Sequence, residues 1–181
     1  MARLPQITSR NDVPSDYGHV FDAIAESRGQ VSGPFSMLLH SPEVAGRAAH
    51  LGTYIRFGSV LSPADRELAI ISTSREFDCN YEWSAHEPLA REAGVPAEAV
   101  EVVANRSDVD SLSEHEAVIV QYARELFRDH RVSDDTFDAA RSRLGDQGVT
   151  ELTATLGYYA MLACALNAFQ VEPEPGTPRL P

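Results

Sequence analysis

From Glu67 to Gly94 the chain reads ELAIISTSREFDCNYEWSAHEPLAREAG, and this stretch limits the fold more than any other. Its first part places apolar side chains at Leu68, Ile70, Ile71 and Phe77. Just upstream, Ser62-Pro63-Ala64-Asp65 has the order of an N-cap, an N1 proline and a capping-box acid, which predicts a helix starting near Ser62. Asp78 can cap a second helix, which carries Cys79, Glu82, Trp83 and His86 and stops at Ala93-Gly94. At 100° per residue, Cys79, Glu82 and His86 fall within roughly 60° of one another. One helical stripe therefore carries a thiol, a carboxylate and an imidazole.

That stripe has chemical consequences. A cysteine in the first turn of a helix lies where the dipole favours the thiolate, while the carboxylates of Asp78 and Glu82 oppose it. Glu82 and His86, four residues apart, can hydrogen-bond so that the carboxylate orients the imidazole and stabilises its protonated form, the minimal acid/base pair. An isolated pair of this kind is ordinarily a solvated surface contact, and a lone cysteine a small buried hydrophobe. Here the groups converge on one face, next to an aromatic residue, and the neighbouring helix supplies another acid, Glu67.

These residues resemble a known family, the carboxymuconolactone decarboxylase-like or alkylhydroperoxidase D-like (AhpD-like) proteins. The peroxidase branch carries Glu, then Cys-x-x-Cys-x-x-x-His. Here Glu67 stands twelve positions before Cys79 and His86 seven after it, but the second cysteine is replaced by Glu82. Cys79-Asn80-Tyr81-Glu82 cannot close a disulfide within the motif, whereas Glu82 and His86 match the Glu-x-x-x-His of the decarboxylase branch. Gly33-Pro34-Phe35 through His40-Ser41-Pro42, Tyr81-Glu82-Trp83 and the segment from Gly157-Tyr158-Tyr159 to Asn167-Ala168-Phe169 extend the likeness from roughly Gly33 to Val171. The resemblance implies an AhpD-like helical bundle.

The remainder of the chain supports an all-α fold. Residues 1–15, with Pro5 and Pro14, read as an N-terminal arm, and residues 172–181, with four prolines, as a C-terminal arm; residues 16–171 form one helical domain. Tyr17, Val20, Phe21 and Ile24 give a first short helix ended by Arg28-Gly29-Gln30. Gly33-Pro34 breaks the chain, and Ser41-Pro42 opens a longer helix to Phe57-Gly58. Pro88 predicts a kink or a break just past His86. A helix over Ala97–Val103 comes next, then one opened by a Ser113/Glu116 capping box. Ser133 caps a helix from Asp134 to Leu144, and Gly145 and Gly148 bound the turn into a last helix from Thr150 to about Phe169. That last helix is apolar nearly all round, and Cys164 within it reads as a core residue. No run alternates as a half-buried strand would.

The balance of 15 basic against 27 acidic residues, net −12, disfavours nucleic acid and anionic membrane and favours a small-molecule partner. No secretory h-region and no uninterrupted apolar span of membrane length occurs, so a cytoplasmic location is expected, with both cysteines reduced. No zinc-spaced Cys/His set or Gly-rich phosphate loop is present, and no metal or cofactor is expected. The resemblance implies an enzyme acting on a small carboxylated lactone or enolisable acid. His86 would transfer the proton, Glu82 orient it, Glu67 extend the relay, and Cys79 line the pocket or serve as a weak donor, with Trp83 as a pocket wall and Tyr81 packed behind the site. The family's other branch implies peroxide reduction by Cys79 with an external resolving thiol, and a non-catalytic oligomeric ligand-binding protein is the third alternative. The resemblance also implies a homo-oligomer, a trimer or a hexamer, in keeping with the apolar last helix.

Overall fold

A computed structural model describes residues 2–181. It contains eight α-helices: α1 Gly18–Arg28, α2 Gly33–Leu38, α3 Pro42–Phe57, α4 Pro63–Glu76, α5 Asn80–Glu92, α6 Ala97–Asn105, α7 Glu114–Arg128 and α8 Asp134–Phe169. Two short 3-10 turns precede α1, and no strand occurs among the described residues. The all-α class follows from the pattern of caps and three-four apolar spacing. Two compact units make up the chain: the described residues up to Gly58 with Leu162–Glu172, and Ser59–Met161 with Pro173–Pro181.

In the first unit α1 packs on α3, and α2 packs on α3 as well. Gly33-Pro34 does not simply interrupt the chain: proline is compatible with a first helical turn, where an N–H would be unpaired in any case, and it opens α2. The N-terminal arm is tied to this unit by its backbone. Arg3 N donates to the Phe169 carbonyl at 2.8 Å and Ile7 N to the Ser36 carbonyl at 3.0 Å, while His40 Nε2 meets the Pro5 carbonyl at 2.8 Å. Met1, the first residue of the arm, lies outside the described residues.

In the second unit α4 is the central element, packed against α5, α6 and α7. Leu68, Ala69 and Ile71 of α4 join Trp83 and Ala90 of α5, Val100 and Val103 of α6, Ile119, Val120 and Ala123 of α7 and Leu152 and Leu156 of α8 in one buried core. Burying these side chains stabilises the unit at ~25 cal/mol per Å² of apolar surface removed from water. α4 is covered on several sides, and two of its three buried hydroxyls bond within the helix, while Ser72 Oγ is buried without a hydrogen-bond partner. Thr73 Oγ1 donates to the Ala69 carbonyl at 2.9 Å and Ser74 Oγ to the Ile70 carbonyl at 2.8 Å.

Sequence-readable caps hold the ends. Ser62 Oγ accepts from Asp65 N at 3.1 Å, and the Ser113/Glu116 capping box is complete in both directions. Two predicted boundaries and one predicted core position differ. α5 runs through Pro88 to Glu92, because tertiary packing holds the turn that proline weakens. α8 is helical on both sides of a single non-helical residue, Gly145, at φ 72 and ψ 175, so Gly148 lies inside the helix and does not bound a turn. That backbone is open only to a residue without a Cβ. Cys164, read as core, is exposed on α8.

Candidate active site

The turn between α4 and α5 sets the geometry. Phe77 closes α4, and Asp78 takes a left-handed conformation at φ 47. Two arginines hold it there. Arg75 and Arg106 both pair with Asp78 Oδ1, Arg106 at 3.0 Å, and Arg75 Nε also donates to the Ala104 carbonyl at 2.8 Å. Cys79 N then donates back to the Ser74 carbonyl at 2.8 Å, and the chain enters α5. The N-cap is consequently Cys79 and not Asp78, whose carboxylate is engaged by the arginines. Cys79 therefore sits one position ahead of the first turn, fully buried and without a side-chain capping bond.

Across the α4–α5 contact lies a buried constellation. His86 Nδ1 is 2.7 Å from Glu67 Oε2, and His86 Nε2 is 3.5 Å from Glu82 Oε2. Glu67 is 7% exposed, Glu82 4% and His86 8%. Of the four sequence-predicted catalytic residues, Cys79 among them, Glu67, Glu82 and His86 are thus brought into contact, with one change of role. The orienting hydrogen bond comes from Glu67 on the neighbouring helix, and Glu82, four residues from His86 on its own helix, stands at the far nitrogen. An ionised Glu67 accepts only, so Nδ1 carries the proton and Nε2 is the nitrogen left for chemistry.

Burial changes what these contacts are worth. An exposed i,i+4 ion pair contributes about 0.3–0.5 kcal/mol, whereas removing one partner of a buried pair costs roughly 3–5 kcal/mol because the other charge is stranded. The Glu67–His86 contact belongs to the second class. Glu67 and Glu82 address opposite nitrogens of one ring, so the three groups do not converge on a single ion. Among the described residues no group of three or more His, Cys, Asp or Glu side chains is arranged to hold a metal.

Two neighbours were not among the residues the sequence placed in the site, although Tyr159 lies in a segment that carried the resemblance. Tyr159 of α8 meets the His86 ring edge-on, with centroids 5.1 Å apart and planes at 84°, and Tyr158 meets Tyr159 in the same way at 5.3 Å. Arg66, next to Glu67 on α4, brings Nε to 3.8 Å from Glu67 Oε1. Tyr159 lies far from His86 in sequence, and only an inward-facing position on the last helix could have hinted at it. Trp83, expected as a pocket wall, is buried in the core of its unit, and Tyr81 is half-buried.

Residues 42–125 match the model of the carboxymuconolactone decarboxylase family, a segment that contains Glu67, Cys79, Glu82 and His86. No functionally curated protein matches the chain in sequence. Among solved structures it is similar to an alkylhydroperoxidase AhpD core, an uncharacterized peroxidase-related protein from Ralstonia eutropha JMP134. That likeness has TM-score 0.77 and 18% identity over 96% of this chain and 93% of the other. A peroxidase-related protein from Silicibacter sp. TM1040 gives TM-score 0.75 at 18% identity, over 96% of this chain and 92% of that one. The debrominase Bmp8, as a Cys-to-Ala variant in complex with 2,3,4-tribromopyrrole, gives TM-score 0.72 at 18% identity, over 97% and 95%. With its helical fold, its Glu67/Glu82/His86 cluster and this match in hand, the chain has the AhpD-like helical fold and carries, over residues 42–125, a segment similar to the carboxymuconolactone decarboxylase family.

Proposed function

We propose that the protein is an acid/base enzyme of the decarboxylase kind, acting on a small carboxylated lactone or enolisable acid. The observation that carries this reading is the 2.7 Å contact between His86 Nδ1 and the buried Glu67 carboxylate. In the protonated imidazole, Nε2 donates. As the carbon–carboxylate bond breaks and carbon dioxide leaves, the electron pair passes into an enolate or dienolate, and the proton from Nε2 is delivered to carbon. Glu67 stabilises the imidazolium and fixes the ring, Tyr159 limits its rotation, and Glu82 lies beside Nε2 to return a proton after turnover. Positioned acid catalysis of this kind supplies roughly 10²- to 10⁴-fold. The location consistent with such a reaction is cytoplasmic.

A thiol reading is favoured by one observation, the place of Cys79 at the N-terminus of α5, where the dipole supports a thiolate. In it the Cys79 sulfur attacks a peroxide oxygen, the O–O bond breaks, an alcohol leaves, one external thiol condenses with the sulfenic acid to a mixed disulfide with release of water, and a second external thiol frees Cys79 and leaves as the external disulfide. Glu82 in place of a second cysteine and the full burial of Cys79 weigh against it. We also propose assembly into a trimer or hexamer, supported by the apolar side chains left exposed on α3 and α8.

Carbon dioxide release from a panel of carboxylated lactones and enolisable acids, run beside a free-thiol assay with and without peroxide, tests the choice. Release with thiols unconsumed is expected. Peroxide-dependent loss of thiol without release would favour the thiol reading.

A further inference from the structure

Arg66 breaks three rules of local stability at once. It is a cation in the first turn of α4, the end where the helix dipole disfavours positive charge. Its side chain is only 16% exposed, and its Nε–H is cut off from solvent with no acceptor. Its nearest ion-pair partner, Glu67 Oε1, is 3.8 Å from Nε, beyond hydrogen-bond reach. A buried donor without an acceptor is costly, and such violations concentrate where a ligand supplies what is missing.

The position of the strain identifies the ligand. A single carboxylate separates the guanidinium from the imidazole, with Oε1 of Glu67 toward Arg66 and Oε2 on His86. The planar fork of an arginine matches a carboxylate, with two parallel N–H donors. The chain carries a formal net charge of −12, and two buried carboxylates flank the site, so an anionic ligand would be repelled without a dedicated cation.

We propose that Arg66 is the anion-binding residue of this site and takes the carboxylate of a small organic acid through Nε–H and a terminal N–H, setting specificity for anions over their neutral esters. The proposal rests on the acid/base reading for the identity of the reaction, while binding itself requires no turnover. A ligand so held has its carboxylate on the arginine and its carbon skeleton toward His86.

Thermal unfolding of the full chain at constant ionic strength tests this, with levulinate, adipate or benzoate at about 10 mM against their methyl esters and against chloride. At least one acid is expected to raise the melting temperature by about 2 °C or more, its ester not to do so, and the rise to vanish in Arg66→Met and shrink in Arg66→Lys. Absence of a rise with every acid, or an equal rise in Arg66→Met, overturns the proposal. So does a smaller mass for Arg66→Met by light scattering without any response of the wild type to acids, because the arginine would then be pairing with a second copy. A His86→Ala variant should still respond to the acids, so loss of catalysis and loss of anion binding are read separately.

Discussion

His86 meets a carboxylate at each ring nitrogen, and the two contacts are unequal: 2.7 Å to Glu67 and 3.5 Å to Glu82. The short contact fixes the tautomer. In nitrogen-15 spectra of the neutral ring, Nδ1 is expected to carry the hydrogen and Nε2 to be bare, and a ring protonated at Nε2 would contradict the assignment. The same inequality sets the energetic scale. Glu67→Ala is expected to cost about 3 kcal/mol in a denaturant titration, since it strands a buried partner, whereas Glu43→Ala, which breaks an exposed i,i+4 pair with Arg47, should cost about 0.5 kcal/mol or less. Similar losses in the two variants would mean the Glu67 contact is solvated. At this scale the candidate residues were legible because Glu82 and His86 share one helix face by local arithmetic. Which acid orients the ring was not, because it depends on how α4 packs on α5. Tyr159 and Arg66 were missed for the same reason: burial and ring contact are properties of the packed protein.

At the scale of elements, caps were the most legible feature. Ser113 closes a complete capping box at the start of α7, so Ser113→Ala is expected to lower stability by about 1 kcal/mol and the melting temperature by about 2–4 °C. No change would show that the box is redundant. The junction of α7 and α8 is held by Glu125. Burial pushes its carboxyl pKa up, but the Ser133 backbone N–H at 2.7 Å outweighs this together with Gln121, Thr136 and the Ser133 hydroxyl, and the net shift is down. A carboxyl depressed in the folded state contributes stability that is fully present above its unfolded value, near 4.3, and is lost as pH falls through the folded value. Thr136→Val should therefore be less stable than wild type at pH 7, with the gap narrowing in acid. Urea midpoints at several pH values check this, and a pH-independent gap would contradict it. Element boundaries were less legible than caps. Pro88 and the Gly33-Pro34 pair were read by their local cost, and packing overrode that cost at Pro88, whereas at Gly33-Pro34 the proline fell where a helix start tolerates it. Gly145 alone, at φ 72, performs the break assigned to two glycines.

For the whole molecule, the division into two compact units was hard to read because, although two of its boundaries fall between elements at Gly58 and at Glu172, the one at Met161 and Leu162 falls inside α8 with no linker. The apolar surface is more informative. Val44, Leu51, Tyr54 and Phe57 of α3 are 47, 45, 47 and 68% exposed, and Met161 and Cys164 of α8 are exposed as well. Exposed apolar side chains recurring along a helix support the proposed assembly. Light scattering at micromolar concentration should return three or six times the 19.8 kDa chain mass, and a mass near one chain would overturn the oligomer.

Proton transfer by His86, with Glu67 behind it, is the central step proposed for this protein. Its most direct measurement is turnover, by carbon dioxide release from the responsive member of the lactone and acid panel, in wild type, His86→Ala and Glu67→Gln, with helical content and melting recorded for each. A loss of roughly 10²- to 10⁴-fold in both variants, with the fold retained, is the expected result. Full activity in His86→Ala would contradict it.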